Sequence, residues 1–363
     1  MNKSTQQYTI KNTLGMFDFI KGLIMIIVMV SHTYGLYESI DYNNKPLLVI
    51  FAFLELFGEV AMPVLFILSG YGFRKTTFSK SVKKQCKTLL FPYVITMFIA
   101  CIAHLIAVFL LYGGARYSIT QTARVAAGAV LGLIDDTTYF GIELKKCGPA
   151  WFLLALALGN IIFNQLLQHF KGKKLLVISA LIACVGWALT RGPIIPWAIP
   201  QAMIATFYLC IGYMAKKSKL FMQEMPKVKR NAIMIALFIL TIAVINMGGG
   251  FNMALNMYAF GPVSIIVMGG FSLVVIYLFL NLNRFKNKFV DFNRRIGRQS
   301  LYVLCAHTIE IVAAGFYIQY DFAMSWTGNL MARSLIIIVV RIVVVLVATF
   351  VFVRLKKYFL RNR

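Results

Sequence analysis

The sequence predicts an all-α protein, a polytopic transmembrane helical bundle of about ten spans with both termini cytoplasmic. Three observations carry that prediction. Hydrophobic residues make up 60% of the 363 residues and charged ones only 13%, a balance outside the range of ordinary soluble domains. Apolar runs near twenty residues recur along the chain, each long enough to cross a hydrocarbon layer of roughly 30 Å as a helix. The 37 Lys and Arg residues, against 12 Asp and Glu residues, give a net charge of +25, and they gather between alternate runs.

Taken in order, the runs place spans at about 17–37, 47–73, 89–112, 149–169, 175–190, 197–215, 231–247, 259–283, 297–319 and 333–354. With a cytoplasmic N-terminus, the segment before 17 and those at 74–88, 170–174, 216–230, 284–298 and 354–363 together carry net +26, whereas the alternate segments sum to zero. The positive-inside rule therefore accounts for the basicity and fixes the orientation, and no nucleic acid is needed as a partner. The first run carries charge within its window and no small-residue cleavage site follows it, so it reads as a retained span rather than a signal peptide. No repeat, low-complexity tract or soluble appendage stands out, so residues 1–363 read as one membrane domain. The six cysteines have no paired spacing and read as free thiols.

The first span, FDFIKGLIMIIVMVSHTYG, carries Asp18, Lys21 and His32. Ionisable groups in lipid are costly and need a reason. Lys21 and His32 are eleven residues apart, so they share a helix face with roughly 16 Å of rise between them. Asp18 lies one turn before Lys21 on nearly the same face, where the two fit an interfacial ion pair or a donor-binding pair. His32 fits a packing histidine or a catalytic one.

The second span contains Glu55 and Glu59 one turn apart, then Pro63. Proline removes the hydrogen bond to the Glu59 carbonyl, and interrupted membrane helices border cavities. Both carboxyls belong in the outer half, near the depth of His32, lining a cavity or paired to neighbouring helices. The segment RKTTFSKSVKKQCKT that follows holds six positive charges, including Arg74, Lys84 and Lys87. It suits anionic lipid and equally the phosphates of a nucleotide-bearing donor.

The outer loop 113–148 combines an amphipathic piece, TARVAAGAVLGLI, with Asp135, Asp136 and Glu143. It reads as an interfacial helix with an acidic turn, or as part of a substrate site. In the ninth span His307 and Glu310 are one turn apart, and Arg341 of the tenth lies near the level of Glu310, which fits an interhelical ion pair. His104 and His169 read as packing or interfacial residues. Four histidines on four spans have no metal-ligand spacing, so no metal is expected.

These segments resemble the acyltransferase 3 family of bacterial membrane proteins. DFIKGLIMIIVMVSH is similar to that family's first-helix pattern of a basic residue, ten residues and a histidine, here Lys21 and His32. GEVAMPVLFILSGYGFRK is similar to its second-helix pattern with an S-G-aromatic turn, here Ser69, Gly70 and Tyr71. GPAWFLLALALGN matches its W-F-L segment at Trp151, and IGRQSLYVLCAH its late segment from Gly297 to His307. The family's R-x-x-R pair appears here as Lys84 and Lys87, which keeps the charge and loses the bidentate fork.

The resemblance implies a plasma-membrane O-acyltransferase that takes an acyl group, commonly acetyl, from cytoplasmic acyl-CoA as co-substrate. The acceptor it implies is a hydroxyl of an extracytoplasmic glycan. His32 then becomes the general base or a transient acyl carrier, with Glu55 and Glu59 on the acceptor side. Lys21, Asp18, Arg74, Lys84 and Lys87 serve the donor, and Ser69, Tyr71, Trp151, His307, Glu310 and Arg341 support the site. A transporter of a small polar solute or glycan is the alternative from another class.

Overall fold

The computed structural model describes residues 15–33, 45–222, 225–248, 250–285, 287–315 and 329–361. Helices α1 (Asp18–Ser31) and α2 (Lys45–Tyr71) open the chain. Next come α3 (Phe78–Gln85), α4 (Phe91–Tyr112) and α5 (Ala115–Leu131). Helices α6 (Trp151–His169), α7 (Gly172–Leu189), α8 (Ile199–Lys217) and α9 (Lys227–Asn246) follow. The chain ends with α10 (Pro262–Leu282), α11 (Lys288–Arg298), α12 (Ser300–Glu310) and α13 (Leu330–Arg361). Two short antiparallel ribbons interrupt the helices, β1 (Thr137–Tyr139) with β2 (Ile142–Leu144), and β3 (Phe251–Asn252) with β4 (Met257–Tyr258).

Among the described residues, eight helical segments are long and apolar enough to cross a membrane. Helix α1 has 14 described residues, and α12 continues through a π-helical turn to Gly315. The outer ends of the first and ninth expected spans, 34–37 and 316–319, lie outside the described residues.

Helix α8 is the hub of the bundle, and small residues let it be one. A Cβ added at Gly70 of α2 would overlap the Leu209 carbonyl of α8, and one at Gly212 of α8 would overlap the Ile67 carbonyl of α2. On its other sides, a Cβ at Gly159 of α6 would come within 3.1 Å of the Ala202 carbonyl oxygen, and one at Gly186 of α7 within 2.7 Å of that of Pro200. Lipid tails are as apolar as leucine, so association here rests on close van der Waals packing, which bare backbones permit. The same device joins α1 to α11. A Cβ at Gly22 would strike the Asn293 carbonyl, and one at Gly297 the Asp18 carbonyl.

Two regions gain detail the sequence left open. The basic segment before the third span is helical over Phe78–Gln85, and α3 joins α4 through a π-helical turn at Cys86–Leu90. That turn precedes Pro92, which has no N–H for the Thr88 carbonyl, and the wider helical turn accommodates the loss. The 113–148 segment does not simply lie at the surface. At Gly113 and Gly114, both with positive φ, the chain reverses and α5 runs back antiparallel along α4. The Tyr93 hydroxyl donates to the Ala129 carbonyl at 2.5 Å, and His104 Nδ1 lies 2.8 Å from Thr122 Oγ1. Buried hydroxyls and imidazoles require partners in an apolar layer, and α5 supplies them. The other face of α4 is apolar and exposed, with Val94, Phe98, Ile102, Ile106 and Leu110 outward, as a lipid-facing helix requires.

Candidate functional site

Helix α1 ends at Ser31, and His32 caps it. Its backbone N–H donates to the Val28 carbonyl at 3.2 Å, and its ring Nδ1 sits 2.7 Å from the same oxygen. A carbonyl only accepts, so Nδ1 carries the proton and the neutral ring keeps its lone pair on Nε2. His32 is exposed, at the end of a helix that is otherwise largely buried on one face. The arrangement leaves a fixed imidazole whose second nitrogen is not engaged by that carbonyl.

Behind it stands a chain of buried ionisable groups. The His307 ring lies edge-on to His32, centroids 5.3 Å apart, and is 1% exposed. His307 Nδ1 sits 3.3 Å from Glu310 Oε2, and Arg341 Nε lies 3.1 Å from that same oxygen. The Arg341 guanidinium also donates through Nη1 to the Met29 carbonyl at 3.3 Å and to Thr33 Oγ1 at 3.1 Å. One guanidinium thus ties α13 to α12 and to the C-terminal end of α1, where a positive charge complements the free carbonyls. A buried charge needs such partners; Nε and Nη1 find them, while Nη2 has none among the described residues. Thr33 and the Met29 carbonyl were not legible as partners, since nothing local marks them.

The acidic residues of α2 behave differently from each other. Glu55 is exposed, whereas Glu59 Oε1 accepts from the Phe251 N–H of β3 at 3.0 Å. A Cβ added at the neighbouring Gly58 would sit 3.5 Å from the Ser31 side chain. Glu59 therefore does lie near the level of His32, but its carboxylate holds the β3–β4 ribbon. Pro63 sits inside the continuous α2.

The residues expected to serve a donor do not form one cluster. Asp18 Oδ2 accepts from Arg298 Nε at 2.9 Å, which binds α1 to the end of α11. Lys21 is half-buried on α1, while Arg74, Lys84 and Lys87 are exposed along and before the α3–α4 helix. Asn164 and Gln168 of α6 pin the backbone of Thr76, two residues after Arg74, through bonds of 2.8–3.0 Å. Tyr71 packs edge-on against Phe17, centroids 5.0 Å apart, and at a tilt against Phe221. Ser69 is half-buried, and Trp151 is buried at the start of α6. The turn just before Trp151 abuts α12, since a Cβ at Gly148 would come within 3.0 Å of Val312.

The acidic turn of the 113–148 segment is paired within itself. Lys145 meets Asp136 at 3.1 Å and also Glu143, Lys146 meets Asp135 at 3.1 Å, and Arg124 meets Glu143 at 3.7 Å. Burial works against the Lys145 ammonium, but its bonds to Glu143 and Asp136 outweigh that and hold it above its ordinary value. No group of three or more potential metal ligands occurs among the described residues. Of the six cysteines, all free, Cys147, Cys210 and Cys305 are buried and Cys86 is exposed.

The family model for the acyltransferase domain matches residues 15–353. Nodulation protein NolL of Sinorhizobium fredii (strain NBRC 101917 / NGR234) is 26% identical over 210 residues, covering 54% of this chain and 47% of NolL. The chain thus spans about half the length of that curated relative. No solved structure matches. With a family match across nearly the whole chain, and with His32 capping the helix that carries Lys21 eleven residues before it, this multi-pass membrane protein belongs to the acyltransferase 3 family.

Proposed function

We propose that this protein is a membrane O-acyltransferase that moves an acyl group, acetyl in the simplest case, from acyl-CoA at its basic, cytoplasmic end to a hydroxyl of an extracytoplasmic carbohydrate. One observation carries the reading: His32 is exposed, its Nδ1 is fixed by the Val28 carbonyl at 2.7 Å, and its Nε2 is left as the base. Nε2 takes the proton of the acceptor hydroxyl as that oxygen attacks the thioester carbonyl. The C–S bond breaks, and the same proton leaves with the thiolate as the CoA thiol. If Nε2 instead attacks the thioester first, an acyl-imidazole carries the group and the acceptor then displaces it.

Around that step, we assign the other residues the following roles. Arg341 and Glu310 hold His307 beside His32. Lys21 lies about 16 Å of helix rise below His32 on the same face, a separation suited to an extended pantetheine arm whose phosphates meet Arg74, Lys84 and Lys87. Asp18 serves α1 through Arg298, and Glu59 and Glu55 belong to the acceptor side. The enzyme sits in the bacterial cytoplasmic membrane in this reading.

The test is thiol release from acetyl-CoA by the purified protein in nanodiscs, with and without envelope glycan. Full transfer by His32→Ala would overturn the assignment. A chain of buried charges such as His307, Glu310 and Arg341 also suits a solute path. Proteoliposomes that accumulate solute without any acyl donor would favour a transporter instead.

A further inference from the structure

The β3–β4 ribbon is held over the outer half of the bundle by two side chains. Glu59 of α2 accepts from the Phe251 amide at 3.0 Å, and Gln201 Nε2 of α8 donates to Asn256 Oδ1 at 2.6 Å. Beneath it lie three buried polar atoms with no hydrogen-bond partner among the described residues: Gln201 Oε1, the Tyr208 hydroxyl and the Tyr258 hydroxyl. Gln201 is 1% exposed, Tyr208 0% and Tyr258 6%. Gln201 and Tyr208 are seven residues apart on one face of α8, Gln201 bonds Asn256, two residues before Tyr258, and Tyr258 stacks edge-on with Phe251, 5.4 Å between centroids.

An unpartnered buried polar atom costs about 1–3 kcal/mol, and native interiors rarely leave several in one place without a ligand or bound water to meet them. The chemistry of the three atoms is specific. The amide oxygen only accepts, each phenol both donates and accepts, and two aromatic rings accompany them. The cluster itself carries no formal charge, and its neighbour Glu59 is committed to the Phe251 amide. A neutral molecule bearing several hydroxyls matches such a set, whereas a phosphate or carboxylate would find no cation in it.

We propose that Gln201, Tyr208 and Tyr258 form a subsite for a neutral polyhydroxylated ligand, a sugar unit of the acceptor glycan, with the β3–β4 ribbon as its cover and Glu59 as the latch. The subsite is linked to the candidate base through α2, since Glu59 follows Gly58, where a Cβ would sit 3.5 Å from the side chain of Ser31, the residue before His32. Leu255 and Met257 on the ribbon are both more than half exposed. This subsite rests on the acyl-transfer reading above.

The experiment pairs the native host with purified protein. Tyr208→Phe combined with Tyr258→Phe removes only two hydroxyls that have no partner among the described residues, so folding should be unharmed. Membrane abundance and unfolding temperature should stay at the wild-type level, and acceptor-independent thiol release from acetyl-CoA should stay within twofold. Acyl incorporation into envelope glycans, read by mass spectrometry, should fall at least tenfold, and Gln201→Met should reproduce the loss. Incorporation within twofold of wild type in the double variant would overturn the subsite. So would an equal fall in thiol release and unfolding temperature, which marks a structural polar cluster. If wild-type protein gives neither thiol release nor glycan acylation, the acyl-transfer reading itself fails, and the subsite falls with it.

Discussion

Removing Arg341 tests how the interior of the bundle is held. In Arg341→Met, the Glu310 carboxylate loses its counter-charge at 3.1 Å, and the Met29 carbonyl and Thr33 hydroxyl lose a donor. Breaking a buried ion pair from one side costs about 3–5 kcal/mol. The Arg341 side chain is 1% exposed but Glu310 is 14% exposed, so some solvation remains for the stranded carboxylate and the lower part of that range applies. The unsatisfied helix-end carbonyl adds about 1 kcal/mol. The sum, about 4 kcal/mol, lowers the folding equilibrium constant by about three powers of ten.

Replacing both partners with apolar residues of similar size is different, because no charge is left to strand. Such swaps are neutral or stabilising by about 1–4 kcal/mol. The assay is reversible unfolding in mixed micelles by titration with SDS, on wild type, Arg341→Met, Glu310→Met and the double variant. Recovery of most of the lost stability in the double variant is the expected outcome. A single-variant cost below 1 kcal/mol, or a double variant no better than its parents, would refute the reasoning. The double variant should nevertheless remain inactive, since His307 loses the carboxylate 3.3 Å from its Nδ1.

Three further outcomes are expected. His32→Gln should cut donor-dependent transfer by about 10²–10⁴, the usual contribution of a general base, with an unchanged unfolding temperature because the side chain is exposed. Asp18→Asn should cost under about 1 kcal/mol, since its partner Arg298 is 53% exposed, and should leave the KM for acetyl-CoA within twofold; a tenfold rise would return Asp18 to the donor site. Gly297→Val should destabilise the α1–α11 contact by about 1–3 kcal/mol or more, because even a Cβ there overlaps the Asp18 carbonyl, and a fall in membrane abundance and unfolding temperature would report it.

Local chemistry made much of this protein legible. A hydrocarbon layer demands about twenty apolar residues per crossing whatever surrounds them, so the all-helical, multi-span class was legible, and eight of the helical segments among the described residues are long and apolar enough to cross. The spacing of Lys21 and His32 on one face follows from helix geometry alone. The level match of Glu310 with Arg341 was also readable, because both are charges that an apolar span tolerates only as a pair.

What the chain could not declare locally is whatever depends on which helix lies beside which. Asp18 meets Arg298, 280 residues away, rather than serving only Lys21 on its own helix. Glu59 meets a backbone amide 192 residues away, in a ribbon too short to leave a strand pattern. Tyr93 and His104 recruit α5 into a hairpin because a buried hydroxyl and imidazole need partners. Gln201 was a polar residue inside an apolar span, a signal visible in sequence, but its meaning depends on Tyr208 and Tyr258 beside it. Helix length and periodicity are set by bonds within a segment, whereas the pairing of polar groups across the bundle is set by side-chain packing between segments, and only the tertiary structure decides that.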